Sequence, residues 1–176
     1  MTKANPQPAR ALEGVKVLDL SRVLAGPWAT QMLADFGADV IKVELPGKGD
    51  DTRGWGPPFL KLSDGSDDPQ ESAYYLCCNR NKRSIAIDMT KPEGQALIRD
   101  LARDADIVVE NFKVGGLKKY GLDYDSVVSS NPRLVILDNV DPSFVASALA
   151  SMQPVECSIL SQRLIRQRAV TTLTSP

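Results

Sequence analysis

Residues 15–44 read VKVLDLSRVLAGPWATQMLADFGADVIKVE, and this stretch decides the fold. Apolar and polar residues alternate over residues 15–20, which predicts a strand. Pro27 then opens an apolar helical run, and Gly37 is placed to end it. Residues 40–44 predict a second strand. A strand, a helix and a strand at this spacing form a βαβ unit, so we expect the two strands to be parallel.

More strands follow, with helices between them. Their apolar segments lie at residues 85–87, 106–110 and 133–137. Thr90 is the predicted N-cap of the first intervening helix, with Pro92 in the first turn and Glu93 completing a capping box. Residues 46–70 are rich in Gly, Pro and Asp and predict a long loop. The predicted fold class is therefore α/β: a Rossmann-like, open, mainly parallel sheet with helices on both faces.

This alternation of strands and helices predicts three regions. Residues 1–12 are predicted to form a flexible N-terminus, and residues 13–137 form the α/β domain. Residues 138–176 carry few charges, many Ser, Thr, Ala and Gln residues, and no clear alternation of strands and helices. We expect this tail to be helical or disordered.

The composition argues against two classes of partner. The chain has 21 Lys and Arg residues against 22 Asp and Glu residues, and this balance argues against a nucleic-acid binder. No apolar run approaches the roughly 20 residues that span a bilayer, so no membrane association is predicted. Residues 1–10 lack the apolar core of a secretory signal, which favours a cytoplasmic protein. The absence of acidic residues before Glu13 leaves a mitochondrial location as the alternative.

The residue types also limit the chemistry. The chain contains no histidine, which excludes Ser-His-Asp and Cys-His catalysis and imidazole metal ligands within this polypeptide. Cys77, Cys78 and Cys157 lack metal-ligand spacing, so we expect reduced thiols and no metal site. Carboxylates, lysines, thiols and hydroxyls remain for any reaction.

Residues 79–88, NRNKRSIAID, place three cations directly before a short apolar strand. Arg80, Lys82 and Arg83 have the groups that contact phosphate oxygens in polyanionic ligands. The alternative is a turn whose cations face solvent or brace the fold. The sequence leaves both interpretations open.

Ligands of open α/β sheets bind beyond the carboxyl ends of the strands. The segments that fall there are residues 21–27, 44–55, 88–90 and 111–113. The first of them ends at a helix N-terminus, whose free N–H groups favour anions. The fingerprint GxGxxG is absent after the first strand and GxxxxGK[ST] is absent throughout, which disfavours the classical dinucleotide and P-loop sites.

Together these pieces resemble the N-terminal part of the class III coenzyme A transferases of the CaiB/BaiF type. This family contains formyl-CoA, carnitine-CoA and succinyl-CoA-dependent transferases. The resemblance is collinear over residues 11–137. The matching stretches are residues 14–20, 25–27, 37–44, 49–59, 79–88, 92–94, 109–112 and 131–133.

The resemblance implies a Rossmann-type domain with a second domain, in two interlocked chains. It implies acyl-CoA and a small free carboxylic acid as substrates, with no tightly bound cofactor. By motif position, the residues at the coenzyme A site would be Val23, Leu24, Trp55, Ile87, Met89, Asn111, Phe112 and Lys119. Trp55 would flank the acyl end and Lys119 would neutralise phosphate. This sequence departs from the family at Leu45, where relatives carry arginine, and at residues 113–115, where Gly-Pro-Gly is commoner.

The family's chemistry uses an aspartate that attacks the thioester and forms an enzyme-bound mixed anhydride. That aspartate lies beyond the matching region in the family, so no catalytic residue is assigned here. The sequence therefore predicts a truncated chain that is inactive by itself. The alternatives are an inactive module that binds coenzyme A or a partner protein, a relative of the acyl-CoA racemases, and an unrelated nucleotide-binding Rossmann module.

Overall fold

The computed structural model describes residues 10–138; the predictions for residues 1–9, Cys157 and the tail from residue 139 lie outside the described residues. Five strands form one sheet in the order β5-β2-β1-β6-β7, and every neighbouring pair is parallel. A separate pair, β3 and β4, is antiparallel. The elements are β1 (Lys16–Asp19), α1 (Ala25–Asp35), β2 (Asp39–Glu44), β3 (Phe59–Lys61), β4 (Asp67–Ser72), α2 (Ala73–Asn79), β5 (Arg83–Ala86), α3 (Pro92–Asp104), β6 (Ile107–Glu110), α4 (Tyr124–Val128) and β7 (Val135–Asp138).

Two apolar cores lie on opposite faces of the sheet. Successive residues of β1 point to opposite sides, as the pleat requires. Val17 packs in a cluster with Leu33 of α1, while Leu18 packs in a cluster with Ile98 of α3 and Val127 of α4. Helices therefore cover both faces, and the predicted α/β class is confirmed.

Residues 46–70 contain secondary structure, whereas the sequence predicted a long loop without it. Asp51–Gly54 forms a 3-10 helix, and β3 and β4 form a hairpin. The next helix, α2, was not predicted either. Its N-cap Ser72 accepts a hydrogen bond from the Tyr75 amide and donates one to the carbonyl of Thr52, 2.5 Å away. The loop prediction was wrong because these elements are stabilised by such contacts and not by a periodic apolar pattern.

The start of α3 also differs from the prediction. The N-cap is Lys91, which makes no side-chain capping bond, and Pro92 occupies the first turn as expected. The Thr90 hydroxyl instead donates to the Asp88 carboxylate at 2.7 Å, so Thr90 closes the preceding turn. The capping box is therefore absent because its cap residue is already engaged.

Four charged side chains are buried beneath α1 and the loops beside it. Lys42 Nζ lies 2.9 Å from the carboxylate of Asp50, and Lys82 Nζ lies 3.0 Å from that of Asp19. All four side chains are at most 1% exposed. Burial would raise the pKa of Asp19, but Lys42 and Lys82 lower it below its usual value. We call these four residues the buried ion network.

The predicted basic stretch is paired with carboxylates along its whole length. Lys82 belongs to the buried ion network, and it also donates to the Pro27 carbonyl at 2.7 Å. Arg80 pairs with Asp35 of α1 at 2.5 Å, and Arg83 pairs with Asp39 of β2 at 2.6 Å. The structure thus favours the interpretation in which these cations brace the fold.

Two carboxylates face each other where β6 and β7 end. Glu110 and Asp138 are register partners in the parallel pair. Burial and the neighbouring Asp138 raise the pKa of Glu110 to about 7, although the Phe112 amide, which donates to its carboxylate at 2.6 Å, acts in the opposite direction. The Glu110 carboxyl of the folded chain therefore keeps its proton up to about pH 7, whereas the same carboxyl in the unfolded chain loses it at lower pH.

We expect Glu110→Gln to stabilise the chain at pH 8 and to be nearly neutral at pH 5. The raised pKa means that native stability falls as pH rises from the ordinary glutamate value through about 7, and glutamine abolishes this loss. Solvent screens the half-buried pair, so the gain at pH 8 is on the order of 1 kcal/mol. Urea unfolding at both pH values measures it. Asp138→Asn should reproduce part of the gain, and an equal effect of Glu110→Gln at both pH values would contradict the assignment.

Gly94 allows α3 to approach the loop after β5. A Cβ atom at this position would lie 2.0 Å from the carbonyl oxygen of Asp88, which is backbone and cannot swing away. We expect Gly94→Ala to destabilise the chain by about 1–3 kcal/mol, although alanine is ordinarily the better helix former. The matched control is Gly54→Ala, because a Cβ there meets nothing within 4 Å. Equal melting temperatures of the two variants would show that the close approach of α3 to Asp88 does not limit the side chain at residue 94.

Candidate functional site

An open cleft of about 200 Å³ lies at the carboxyl edge of the parallel sheet. The loops that follow β1, β2, β5 and β6 meet there, as the sequence predicted for this edge. Its lining residues are Leu20, Arg22, Val43, Glu44, Leu45, Lys48, Gly49, Asp50, Asp51, Ile87, Asp88, Met89, Thr90, Phe112 and Tyr120.

The loop after β1 is held by polar groups from its two neighbours. Val23 has a left-handed backbone with φ of 69°, a conformation that a β-branched residue rarely adopts. Its amide donates to the Asp50 carboxylate at 3.2 Å, which offsets part of that strain. The Asn111 side chain accepts from the Arg22 amide at 2.9 Å and donates to the Arg22 carbonyl at 2.7 Å. The loop backbone is therefore fixed from both sides before any ligand arrives.

The loop after β2 is built around Glu44. Arg53 approaches this carboxylate at 2.7 Å, the Tyr75 hydroxyl donates to it at 2.8 Å and the Ser84 hydroxyl at 2.6 Å. The Asp50 amide donates to the same carboxylate at 2.8 Å. Burial alone would raise the pKa of Glu44, but these donors lower it to about 2. Glu44 is therefore an ionised structural carboxylate and not a proton donor near neutral pH.

Cations and aromatic rings meet at the rim of the cleft. Arg22 and Lys48 lie on either side of Asp51, at 3.5 and 2.6 Å, and both cationic side chains are more than half exposed. The Arg22 guanidinium lies 5.9 Å from the centre of the Phe112 ring. Such a rim combines mobile positive charge with a flat apolar surface, which suits a ligand that carries phosphates and an aromatic base.

Three of the eight predicted site residues line the cleft: Ile87, Met89 and Phe112. Ile87 is buried, and Met89 and Phe112 pack half-buried against the core beneath. Their apolar surface forms the floor on which a flexible ligand arm can lie.

The other five predicted residues lie outside this lining. Val23 and Asn111 act through the backbone of the loop after β1, as described above. Lys119 is exposed, with its ammonium 4.7 Å from the centre of the Tyr120 ring, which does line the cleft. Leu24 is 37% exposed, and Trp55 is 49% exposed with its ring edge-on to Tyr74 at 5.3 Å. The eight predicted residues therefore do not all line the same cleft.

Sequence reasoning missed Arg22, Lys48 and Tyr120 as individual site residues. Lys48 had a usable signal, because Gly47 and Gly49 flank it directly after a strand, with φ of 75° and 71°. Glycines in that conformation form a tight loop that presents the residue between them. Tyr120 had none, since its position depends on the 3-10 helix Lys118–Tyr120.

Residues 10–138 contain neither a cluster of metal ligands nor a helix that could span a membrane. No group of three or more His, Cys, Asp and Glu residues in this part of the chain could hold a metal ion. None of the helices in the same range has both the length and the apolarity that a crossing of the bilayer requires.

Known proteins share this fold together with its sequence. The succinate–glutarate CoA-transferase of Agrobacterium fabrum is 58% identical over 130 residues, which are 74% of this chain and 32% of the relative. The human succinyl-CoA:glutarate CoA-transferase is 51% identical over 126 residues, which are 72% of this chain and 27% of the relative. A crystal structure of a CaiB/BaiF family protein from Brucella suis superimposes with a TM-score of 0.68 at 53% identity, covering 74% of this chain and 33% of that one.

The chain therefore spans about a third of the length of the relatives that it matches. Within that third, the parallel sheet and the loops around the cleft fall inside residues 12–139, which match the profile described as CoA-transferase family III. The match covers more than half of the chain, so this protein belongs to CoA-transferase family III.

Proposed function

We propose that the cleft binds coenzyme A, and that this chain is part of an enzyme that moves coenzyme A from an acyl-CoA to a free carboxylic acid. The observation that carries the proposal is the rim of cations and rings above an apolar floor. Arg22 and Lys48 supply exposed positive charge, and Phe112 supplies a flat face beside them. Coenzyme A has a matching group for each of these features: phosphates for the cations, a flat base for the ring and an apolar arm for the floor.

The parts of coenzyme A are assigned by chemistry. Lys48 and Lys119 are the proposed partners of the phosphates, because ammonium groups at a rim hold phosphate as point charges. Phe112 is the proposed face for the adenine ring, and Ile87 and Met89 the floor for the pantetheine arm. Val23, Leu24 and Asn111 border this path in the proposal, and Trp55 flanks the acyl end.

For the substrates, we propose a succinyl-CoA donor and a short dicarboxylic acid as the acceptor. Relatives named for succinate or succinyl-CoA and glutarate are 58% and 51% identical to this chain, whereas a formyl-CoA:oxalate CoA-transferase is 43% identical. The proposed route passes through an aspartyl mixed anhydride. Asp19, Glu44 and Asp50 are engaged in ion pairs within residues 10–138, and we assign none of them as its nucleophile. A cytoplasmic location and interlocked dimers remain predictions.

We expect the 176-residue chain to bind coenzyme A without transferring it. Because the chain spans about a third of its relatives, binding is the activity that the cleft itself supports. Isothermal titration with coenzyme A should show saturable binding. Mass spectrometry of succinyl-CoA mixed with glutarate and the chain should show no glutaryl-CoA. Absence of saturable binding would overturn the assignment of the cleft, whereas turnover would overturn only the expected inactivity.

We expect Lys119→Ala to raise the Kd for coenzyme A roughly three- to tenfold, since one exposed charge near phosphate is worth about 1 kcal/mol. The difference should shrink at high salt. The matched control is Lys61→Ala, because Lys61 is also exposed but pairs with Asp67 across the β3–β4 hairpin. Titration of both variants at two salt concentrations tests the assignment. Equal weakening by both substitutions would contradict it.

A further inference from the structure

Two thiols lie side by side on α2, and neither belongs to the lining of the cleft. Cys77 Sγ and Cys78 Sγ are 3.4 Å apart. Cys77 is exposed and Cys78 is buried. The Cys77 thiol also donates to the carbonyl of Tyr74 at 3.1 Å, which orients it on the helix surface. The pair therefore offers an accessible sulfur backed by a second one at fixed distance.

This separation does not suit a disulfide bond. Disulfide partners usually have Cα atoms about 4.4–6.8 Å apart, whereas adjacent residues are held at about 3.8 Å by the trans peptide. Both cysteines also lie within α2, which spans Ala73–Asn79. A direct bond would require this helix to open at its last turn.

A single bridging atom suits the pair better. Bonds of about 2.3 Å, the length typical of a thiolate on a soft metal ion, span the observed gap when they meet at nearly a right angle. Tetrahedral zinc needs a wider angle and further ligands. Trivalent arsenic is soft and pyramidal, with a lone pair that compresses its bond angles, and it prefers thiolate sulfur.

We propose that Cys77 and Cys78 form a dithiol site for trivalent arsenic compounds, in which one arsenic atom bridges the two sulfurs. With an aryl arsenoxide, two arsenic–sulfur bonds form and the arsenic–oxygen bond breaks. The oxygen leaves as water with the two thiol protons. Arsenic stays trivalent, so the reaction needs neither an oxidant nor a reductant.

The surroundings set the order of the two steps. Burial and the hydrogen bond with Cys77 raise the pKa of the Cys78 thiol to about 12, although Lys82 acts in the opposite direction. The exposed Cys77 is therefore the first sulfur to bind. Cys78 then displaces the remaining oxygen within the complex, where its effective concentration is high.

The test treats the whole chain with phenylarsine oxide and follows intact mass and free thiols. The reduced chain has three cysteines, and we expect it to take up one phenylarsenic group and to lose two thiols. Closure of the second bond should make the adduct on the order of 100-fold more resistant to glutathione than a single-thiol adduct. A dithiol such as 2,3-dimercaptopropanol should remove it. Trypsin should place the group on the peptide of residues 62–80, which contains Cys77 and Cys78 but not Cys157.

The matched variants are Cys77→Ser, which changes an exposed side chain, and Cys157→Ser. We expect Cys77→Ser to lose the resistance to glutathione and Cys157→Ser to keep it. A resistant adduct in Cys77→Ser, or one that depends on Cys157, would overturn the proposal. So would a loss of two thiols without added arsenic, because that result is a disulfide. Peptide mapping of the unsubstituted chain decides the question even if a variant fails to fold.

Discussion

The ion pair between Lys42 and Asp50 is the interaction on which the rest of the structure depends. Lys42 lies on β2, beside the central strand, and its ammonium also donates to the carbonyl of Ser21 at 2.8 Å. Asp50 in turn accepts from the amides of Val23 and Thr52. One buried pair thus joins the sheet, the loop after β1 and the 3-10 helix after β2. Removing one of the two charges would leave the other buried without a partner and would cost several kcal/mol. A change in the loops of the cleft at this pair would therefore also destabilise the core.

The charged groups around the cleft fall into two sets: buried carboxylates that hold its loops, which we call the frame, and exposed cations at its rim. The frame uses buried carboxylates whose pKa values are lowered by their partners, as at Asp19, Glu44 and Asp50. The rim uses cations that are more than half exposed, Arg22 and Lys48, which share Asp51 between them. The carboxylates of the frame therefore stay ionised over the physiological pH range. The rim cations, in contrast, can exchange Asp51 for an anionic ligand at little cost in desolvation.

The sheet could be predicted from the sequence because its central strands bury residues on both faces, and burial leaves a pattern. The hairpin could not, since β4 (Asp67–Ser72) has no apolar residue other than Pro69 and its last residue is held by a hydrogen bond to the carbonyl of Thr52, 20 residues away. The basic stretch illustrates the same limit. The partners of Lys82 and Arg83 lie 63 and 44 residues away in sequence, and no local pattern distinguishes a paired cation from a free one. The sequence placed loops at the edge where the cleft lies, whereas the residues that line it depend on loop conformations such as the left-handed backbone of Val23.

Among residues 10–138, β5 lies at the outer edge of the sheet, and this position affects how the chain behaves in a crowded solution. A strand at an edge offers unpaired amide and carbonyl groups to any other extended chain, and this is a common route to aggregation. β5 is only four residues long, all of them exposed, and it begins with the Arg83 guanidinium clamped to Asp39. A short edge with a fixed charge at its start is a poor template for a further strand. Arg83, which pairs with Asp39 of β2, thus also disfavours the addition of a further strand next to β5.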